Sequence, residues 1–256
     1  MKKWLCMALC AGMMFGAAAC GGNTTGKVEN KEITISLPYG ERTGIYSGDM
    51  VDGIPEGHGK FESENTEGTA WTYEGSFVAG VFEGEGKTVW ENGLIQTGTY
   101  KGGNWQASEL GLLDLMESQD AIRITDESRK FIKENPEFFP VDDLGKIIDF
   151  VDESIMYKMV TKEPSKYGDK ILKINDLYVI QIDTVEIYDS EKYTYAIMCD
   201  EDINIYQIFM IGELPDIYEG DSIKELYGVP VGNDSYDAAS GGFVNSVVIA
   251  PCWVQK

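Results

Sequence analysis

Few side chains in this 256-residue sequence are of a type, or at a spacing, that performs chemistry. Its one histidine, His58, stands between Gly57 and Gly59. Acid–base or metal work needs an imidazole beside a nucleophile, a carboxylate or further ligands, and no such partner is recognisable. His58 reads as a turn residue. Cys199 and Cys252 lie in the apolar stretches "YAIMC" and "VIAPCWV", the setting of buried free thiols. A bridge between them stays open, because sequence does not fix its geometry. The turn "DEDIN" sets Asp200, Asp202 and Asn204 at calcium-like spacing, yet the glycine and glutamate of an EF-hand loop would fall on Ile205 and Ile211. It reads as a solvated hairpin turn. No phosphate loop, dinucleotide fingerprint or nucleophile elbow is visible, and carboxylate pairs are too many to single one out. The expectation is a protein that is not an enzyme and uses no cofactor or metal.

One cysteine has a context of its own. The chain starts "MKKWLCMALCAGMMFGAAACGGN", in which Lys2 and Lys3 precede an apolar run from Trp4 to Phe15. That run is too short to span a bilayer as a stable helix and suits a secretory leader. Small residues then lead into Cys20, and "AAAC" resembles the bacterial lipobox, departing from it at Ala17, where Leu is usual. The resemblance implies a signal peptide over residues 1–19, diacylation (palmitate-like chains) at Cys20 and cleavage just before it. Two acyl chains on one cysteine supply a stable anchor where one chain would not. The expected location is the cell membrane, lipid-anchored on its extracytoplasmic face. The polar "GGNTTGKVENKE" reads as the start of a flexible tether over residues 20–43.

The elements beyond it begin with a repeat. "YSGDMVDGIPEGHG" from Tyr46 aligns with "YEGSFVAGVFEGEG" from Tyr73, an offset of 27 residues. Gly48, Gly53, Gly57 and Gly59 meet Gly75, Gly80, Gly84 and Gly86, and Met50 meets Phe77. A weaker third copy from Gln96 brings Gly98, Tyr100 and Gly103 into register, offset by 23, so the first unit carries four extra residues within "ESENTEGTAW". The pattern Tyr-x-Gly-x-aromatic-x-x-Gly-x-x-x-Gly-x-Gly resembles the membrane occupation and recognition nexus (MORN) repeat, here over residues 44–106. It departs from that family at Met50, where an aromatic is usual, and at Gln96, where Tyr is expected. Alternation in "TYEGSF" and "GKTVW" predicts two strands, with "VAGVFEGEG" as the turn between them. Each unit is then one hairpin, marginal alone and stabilised by stacking on the next. The resemblance implies phospholipid binding, which the charge opposes: Lys60, Lys87 and Lys101 face ten acids in this segment.

From Ala107 the texture changes to a helical connector over residues 107–163. "DESRKFIKENPEFFP" predicts a short helix capped by Thr125 or Asp126 and ended at Asn135-Pro136. Leu144, Ile147, Ile148, Val151, Ile155, Met159 and Val160 then predict one face of an amphipathic helix. Five alternating strands follow over residues 164–256, the first with a bulge at Asn175-Asp176, and together they fit a small closed barrel. Pro164 and Tyr167, Gly220-Asp221 before strand four and Tyr227-Gly228 at its end resemble a lipoprotein-associated OB-fold related to anticodon-binding barrels. That resemblance implies strand-binding aromatics, yet six lysines face sixteen acids there, so no nucleic acid is expected.

The whole chain has a formal net charge of −22, which repels phosphate backbones and anionic headgroups alike. The fold class expected is mainly β (α+β overall): a MORN-like hairpin array, a helical connector and a five-stranded OB-like barrel. The expected function is a non-catalytic binding or scaffolding module at the cell envelope. Its partners would be the membrane, through acyl chains on Cys20, and an envelope protein or glycan. A cell-surface carbohydrate-active enzyme and a purely structural spacer are the rival readings.

Overall fold

The structure is a computed structural model that describes residues 25–187, 191–237 and 241–256. The leader, Cys20 and the first residues after it lie outside the described residues. The chain is mainly β, as its alternation predicts: a seven-stranded antiparallel sheet is followed by short helices and a closed five-stranded barrel.

The sheet runs in sequence order through β1 (Gly26–Leu37), β2 (Gly40–Val51), β3 (Ile54–Glu64), β4 (Ala70–Val78), β5 (Val81–Trp90), β6 (Ile95–Lys101) and β7 (Asn104–Trp105). The expected tether is therefore strand from Gly26 onward. "ITISL" alternates, and its Ile35 and Leu37 are buried, so period-two patterning outweighs the polar composition that suggested a flexible segment. The turn within the second unit is also shorter than expected. Ala79 and Gly80 alone make it, at φ of 49° and 84°, the left-handed pair of a two-residue hairpin turn. Gly84 and Gly86 belong to β5. The four extra residues of the first unit lie where the β3–β4 connection turns on Asn65, whose Oδ1 accepts from the amides of Glu67 and Thr69.

One row of glycines organises the sheet. Gly48, Gly59, Gly75, Gly86 and Gly98 are paired in succession across β2 to β6. Tyr46 and Tyr73 lay their rings on this bare strip. A Cβ at Gly59 would come within 2.5 Å of Tyr46 Cε2, and one at Gly86 within 2.5 Å of Tyr73 Cε2. Each hydroxyl then donates to a carbonyl three residues on, Tyr46 to Asp49 at 2.6 Å and Tyr73 to Ser76 at 2.9 Å. Those carbonyls sit where the pairing register slips, between Gly48 and Met50 and between Gly75 and Phe77. Such irregularities bend a strand and raise its twist. The sheet consequently rolls, bringing the β6–β7 turn against the β1–β2 turn: a Cβ at Gly103 would lie 2.7 Å from Pro38 Cδ. Inside the roll, Tyr73 and Phe82 stack at 3.8 Å between centroids, and Phe77 meets both edge-on.

Helix α1 (Glu109–Ser118) serves two cores. Its Leu115 packs in the sheet's aromatic core, while Leu112 and Leu113 pack with the barrel residues Val229 and Val248. Helix α2 (Asp126–Glu134) starts at Thr125, whose hydroxyl accepts from Ser128 N at 3.2 Å. The expected amphipathic helix from Leu144 does not form. Single 3-10 turns occupy 144–146 and 148–150, and only α3 (Tyr157–Lys162) is α-helical. Two causes are visible. Asp143 and Asp152 turn their carboxylates onto the backbone amides of Gly145 and Ser154, the local bonding by which Asp competes with a helix. The backbone at Val151 is meanwhile taken up by a parallel bridge to Ile171. Ile147, Ile155 and Val160 are buried, but Ile148 is half exposed.

The barrel closes in the order β10 (Ile205–Ile211), β12 (Phe243–Gln255), β11 (Ser222–Asp237), β8 (Leu172–Glu186), β9 (Lys192–Cys199). Only β10 and β12 are parallel. The expected bulge at Asn175-Asp176 is displaced: Asp176 has φ of 52°, but the register slips between Val179 and Gln181. Tyr227-Gly228 does not end its strand. It is a slip inside β11, where a Cβ on Gly228 would strike Ile249 Cγ2 at 2.4 Å.

Because the tyrosine ring sits on bare backbone, Gly86→Ala overpacks the contact and is expected to lower stability by about 1–3 kcal/mol. Lys87→Ala, one residue on and pointing outward, should change it by less than about 0.5 kcal/mol. Urea denaturation of both variants checks this; equal midpoints would remove the ring–backbone contact as the organising feature.

Candidate functional site

The candidate site is the inner face of the rolled sheet, near its open end. Alternation carries Arg42 (β2), Trp71 (β4), Thr88 and Trp90 (β5), Gln96 and Tyr100 (β6) to that face. With Trp105 of β7 they line a cavity of about 200 Å³, and Tyr39, 45% exposed, stands at its rim. The third repeat's departure from pattern opens this space. Where the first two units place a tyrosine, the third places Gln96, so no tyrosine presses on Gly98; a Cβ there would meet Ser108 Oγ and Trp105 Nε1 only at 3.8 Å.

The walls are held by their own hydrogen bonds. Trp90 Nε1 donates to Gln96 Oε1 at 3.0 Å, Trp105 Nε1 to the Thr97 carbonyl at 3.0 Å, and Thr88 Oγ1 and the Tyr100 hydroxyl lie 2.7 Å apart. Arg42 donates through its two terminal nitrogens to the carbonyls of Glu41 (2.8 Å) and Tyr39 (3.3 Å), and its guanidinium lies 5.3 Å from the Tyr39 ring centre. Its Nε is buried and has no acceptor among the described residues. Burial, helped by Asp49 and Glu56, pushes the Tyr46 hydroxyl up to about 12, and burial moves Tyr73 and Tyr100 higher still. These phenols stay neutral donors at any ordinary pH.

The repeat-defining glycines and aromatics are brought together, but as frame more than as surface. Tyr46, Tyr73 and Phe77 are buried in the core, Gly53, Gly80 and Gly103 make turns, and Gly57 and Gly84 lie within strands; only Tyr100 and Gly103 reach the cavity. Sequence reasoning missed Arg42, although extending the alternation back from Tyr46 places it on the inner face. It also missed Glu56 and Glu83, the aligned glutamates of "PEGHG" and "FEGEG". Their carboxylates accept from the turn amides of the next unit, Ala79 at 2.9 Å and Gly102 at 2.7 Å, stapling one hairpin to the following one.

Elsewhere, His58 is not in a turn. It lies within β3, exposed, opposite Ser76. Cys252 is fully buried, whereas Cys199 is only partly so, and both are free thiols. Asp200 gives Oδ1 to the amides of Asp202 and Asn204 and Oδ2 to Asn204 Nδ2 and the Tyr206 hydroxyl, so its oxygens already close the β9–β10 turn.

A second unusual group sits between sheet and barrel. Glu109, the first residue of α1, is buried; Oε2 accepts from Ile211 N at 3.0 Å and Oε1 has no donor among the described residues. Burial raises its carboxyl to about 8, with the Ile211 amide pulling weakly the other way.

Against known families, the MORN repeat family model matches residues 46–66 and 73–95. Those hairpins are MORN repeats. A comparison with curated proteins finds no match. The MORN units span β2 to the start of β6, so the array also carries strands outside the matched residues: β1 before it and β7 after it.

The Glu109 shift has a defined sign. Its folded-state value lies above the ordinary 4.5, so its stabilising contribution is full below about pH 4.5 and is lost as pH rises through about 8. Glu109→Gln should therefore flatten the melting temperature over that window and melt above the parent at pH 8.5. Parallel melting curves for the two proteins would show that Glu109 is not held neutral.

Proposed function

We propose that the protein is a lipid-anchored, non-catalytic binding or scaffolding module on the extracytoplasmic face of a cell membrane. The observation that carries the reading is the pairing of a MORN array with a leader-like segment that runs up to Cys20 in "AAAC". A repeat array of stacked hairpins offers an extended surface, and diacylated Cys20 would hold that surface at the envelope. Among the described residues, no helix is long and apolar enough to cross a membrane. On this reading the chain before β1 is short, about six residues from Cys20 to Gly26. At roughly 3.5 Å per residue it would keep the array within about 20 Å of the bilayer.

The barrel is proposed to be an OB-fold. Its support is the order in which the strands close, with strand one between strands two and four, and strand three parallel to strand five. A nucleic acid is not its proposed ligand, because its six lysines are outnumbered by sixteen acids, the wrong sign for tracking a phosphate chain. The proposed partners are the membrane, through Cys20, and an envelope protein or glycan.

Substituting Cys20→Ser should move the protein from the membrane fraction to the soluble fraction and abolish labelling by a palmitate analogue. Membrane retention undiminished by the substitution would rule out the anchor.

A further inference from the structure

The cavity of the rolled sheet selects its ligand more narrowly than the array does. Three of the chain's five tryptophans, Trp71, Trp90 and Trp105, line it. Indole faces accept cations, other aromatic rings or the C–H faces of sugars. A cation is disfavoured, because Arg42 stands in the same wall. The unused polar groups then decide. Arg42 Nε is buried without an acceptor. Gln96, 6% exposed, commits its Oε1 to Trp90 Nε1, and its amide nitrogen makes no hydrogen bond among the described residues. Both groups are donors. Of the two, Arg42 Nε is the buried donor left unmet, at a cost of about 1–3 kcal/mol, so a ligand that recovers its bond brings an acceptor oxygen, which a plain aromatic ring lacks.

Charge and size narrow it further. Arg42 makes no ion pair among the described residues, although the chain carries a net charge of −22. A carboxylate gains more from such a donor than a hydroxyl does. At about 200 Å³ the cavity is smaller than the roughly 300–1,000 Å³ of sites for drug-sized ligands, so it suits one ring. An inorganic anion would leave the indoles uncovered. We propose that this cavity binds one acidic pyranose residue of a glycan, its ring against Trp71 and Trp90 and its carboxylate taken by Arg42 and Gln96. This rests on the reading of the chain as a binding module, and names the ligand class of its inner face.

The test uses the full chain in a detergent without a sugar headgroup, with glucuronic acid, galacturonic acid, glucose and N-acetylglucosamine as probes. Tryptophan fluorescence and calorimetry should show saturable binding of at least one uronic acid with Kd on the order of 1 mM or tighter. Glucose should bind about tenfold more weakly, a difference of about 1.4 kcal/mol. Arg42→Gln should erase that preference, Arg42→Lys should keep part of it, and Gln96→Leu should weaken binding severalfold, with thermal melts confirming that each variant folds. No saturable binding of either uronic acid, equal binding of glucose, or a preference that survives Arg42→Gln would overturn the proposal. Membrane release of the Cys20→Ser chain is read separately: release with no sugar binding sinks the ligand and leaves the anchor, and the reverse result does the opposite.

Discussion

A tyrosine ring lying on two facing glycines is the contact on which the repeat half of the molecule depends. Tyr46 covers Gly48 and Gly59, and Tyr73 covers Gly75 and Gly86. Each contact demands absence of side chains at two facing backbone positions at once, which fixes both the residue types and the register. It also places each hydroxyl at the carbonyl of a register slip, so the phenol holds the bend that rolls the sheet. Glycine weakens a strand when nothing replaces its missing side chain. Here the ring of the same unit replaces it, and burial keeps that ring neutral and donating.

The cavity follows from the point at which this rule stops. The third unit has Gln96 where a tyrosine would sit, and the row of glycines ends at Gly98 with no tyrosine pressed upon it. Trp71, Trp90 and Trp105 remain around the gap, with Arg42 reaching in from the opposite end of the meander. The roll makes this meeting possible, since Arg42 and Gln96 belong to strands four places apart in the sheet but line one cavity on its concave side. A flat sheet of the same sequence would have left them unrelated.

Legibility in the sequence tracked the range of the interaction. The repeat was readable because its constraint is local and recurs: identical glycines at identical offsets report one geometry twice. The five barrel strands were readable from alternation in stretches such as "KYTYAIMC". The cap of α2 was readable to Thr125 or Asp126, because it is settled within four residues; the structure uses Thr125. What failed was decided at longer range. Residues 26–37 look like a polar linker until β2 supplies a partner and the core supplies a place for Ile35 and Leu37. Ile147 to Val160 keep helical spacing, but a bridge from Val151 to Ile171 claims the backbone. Glu109 carries no signal at all, being an ordinary helix-starting glutamate until α1 docks its carboxyl beneath Ile211.

That docking explains why an array and a barrel form one body. Helix α1 divides its leucines between the two cores, and a bare Gly111 lets it approach the sheet: a Cβ there would lie 2.9 Å from Trp105 and 2.8 Å from the Thr97 carbonyl. Asp114 of the same helix accepts from Thr97 and from Arg129, and Glu117 accepts from Arg129 at 2.6 Å, tying β6, α1 and α2 together. Trp105 is thus a cavity wall on one side and a seat for α1 on the other. A hairpin array open at its last strand would leave β7, two residues long, with little to hold it. The helix and the barrel behind it supply that support, so the barrel contributes to the candidate site as the buttress of its weakest wall.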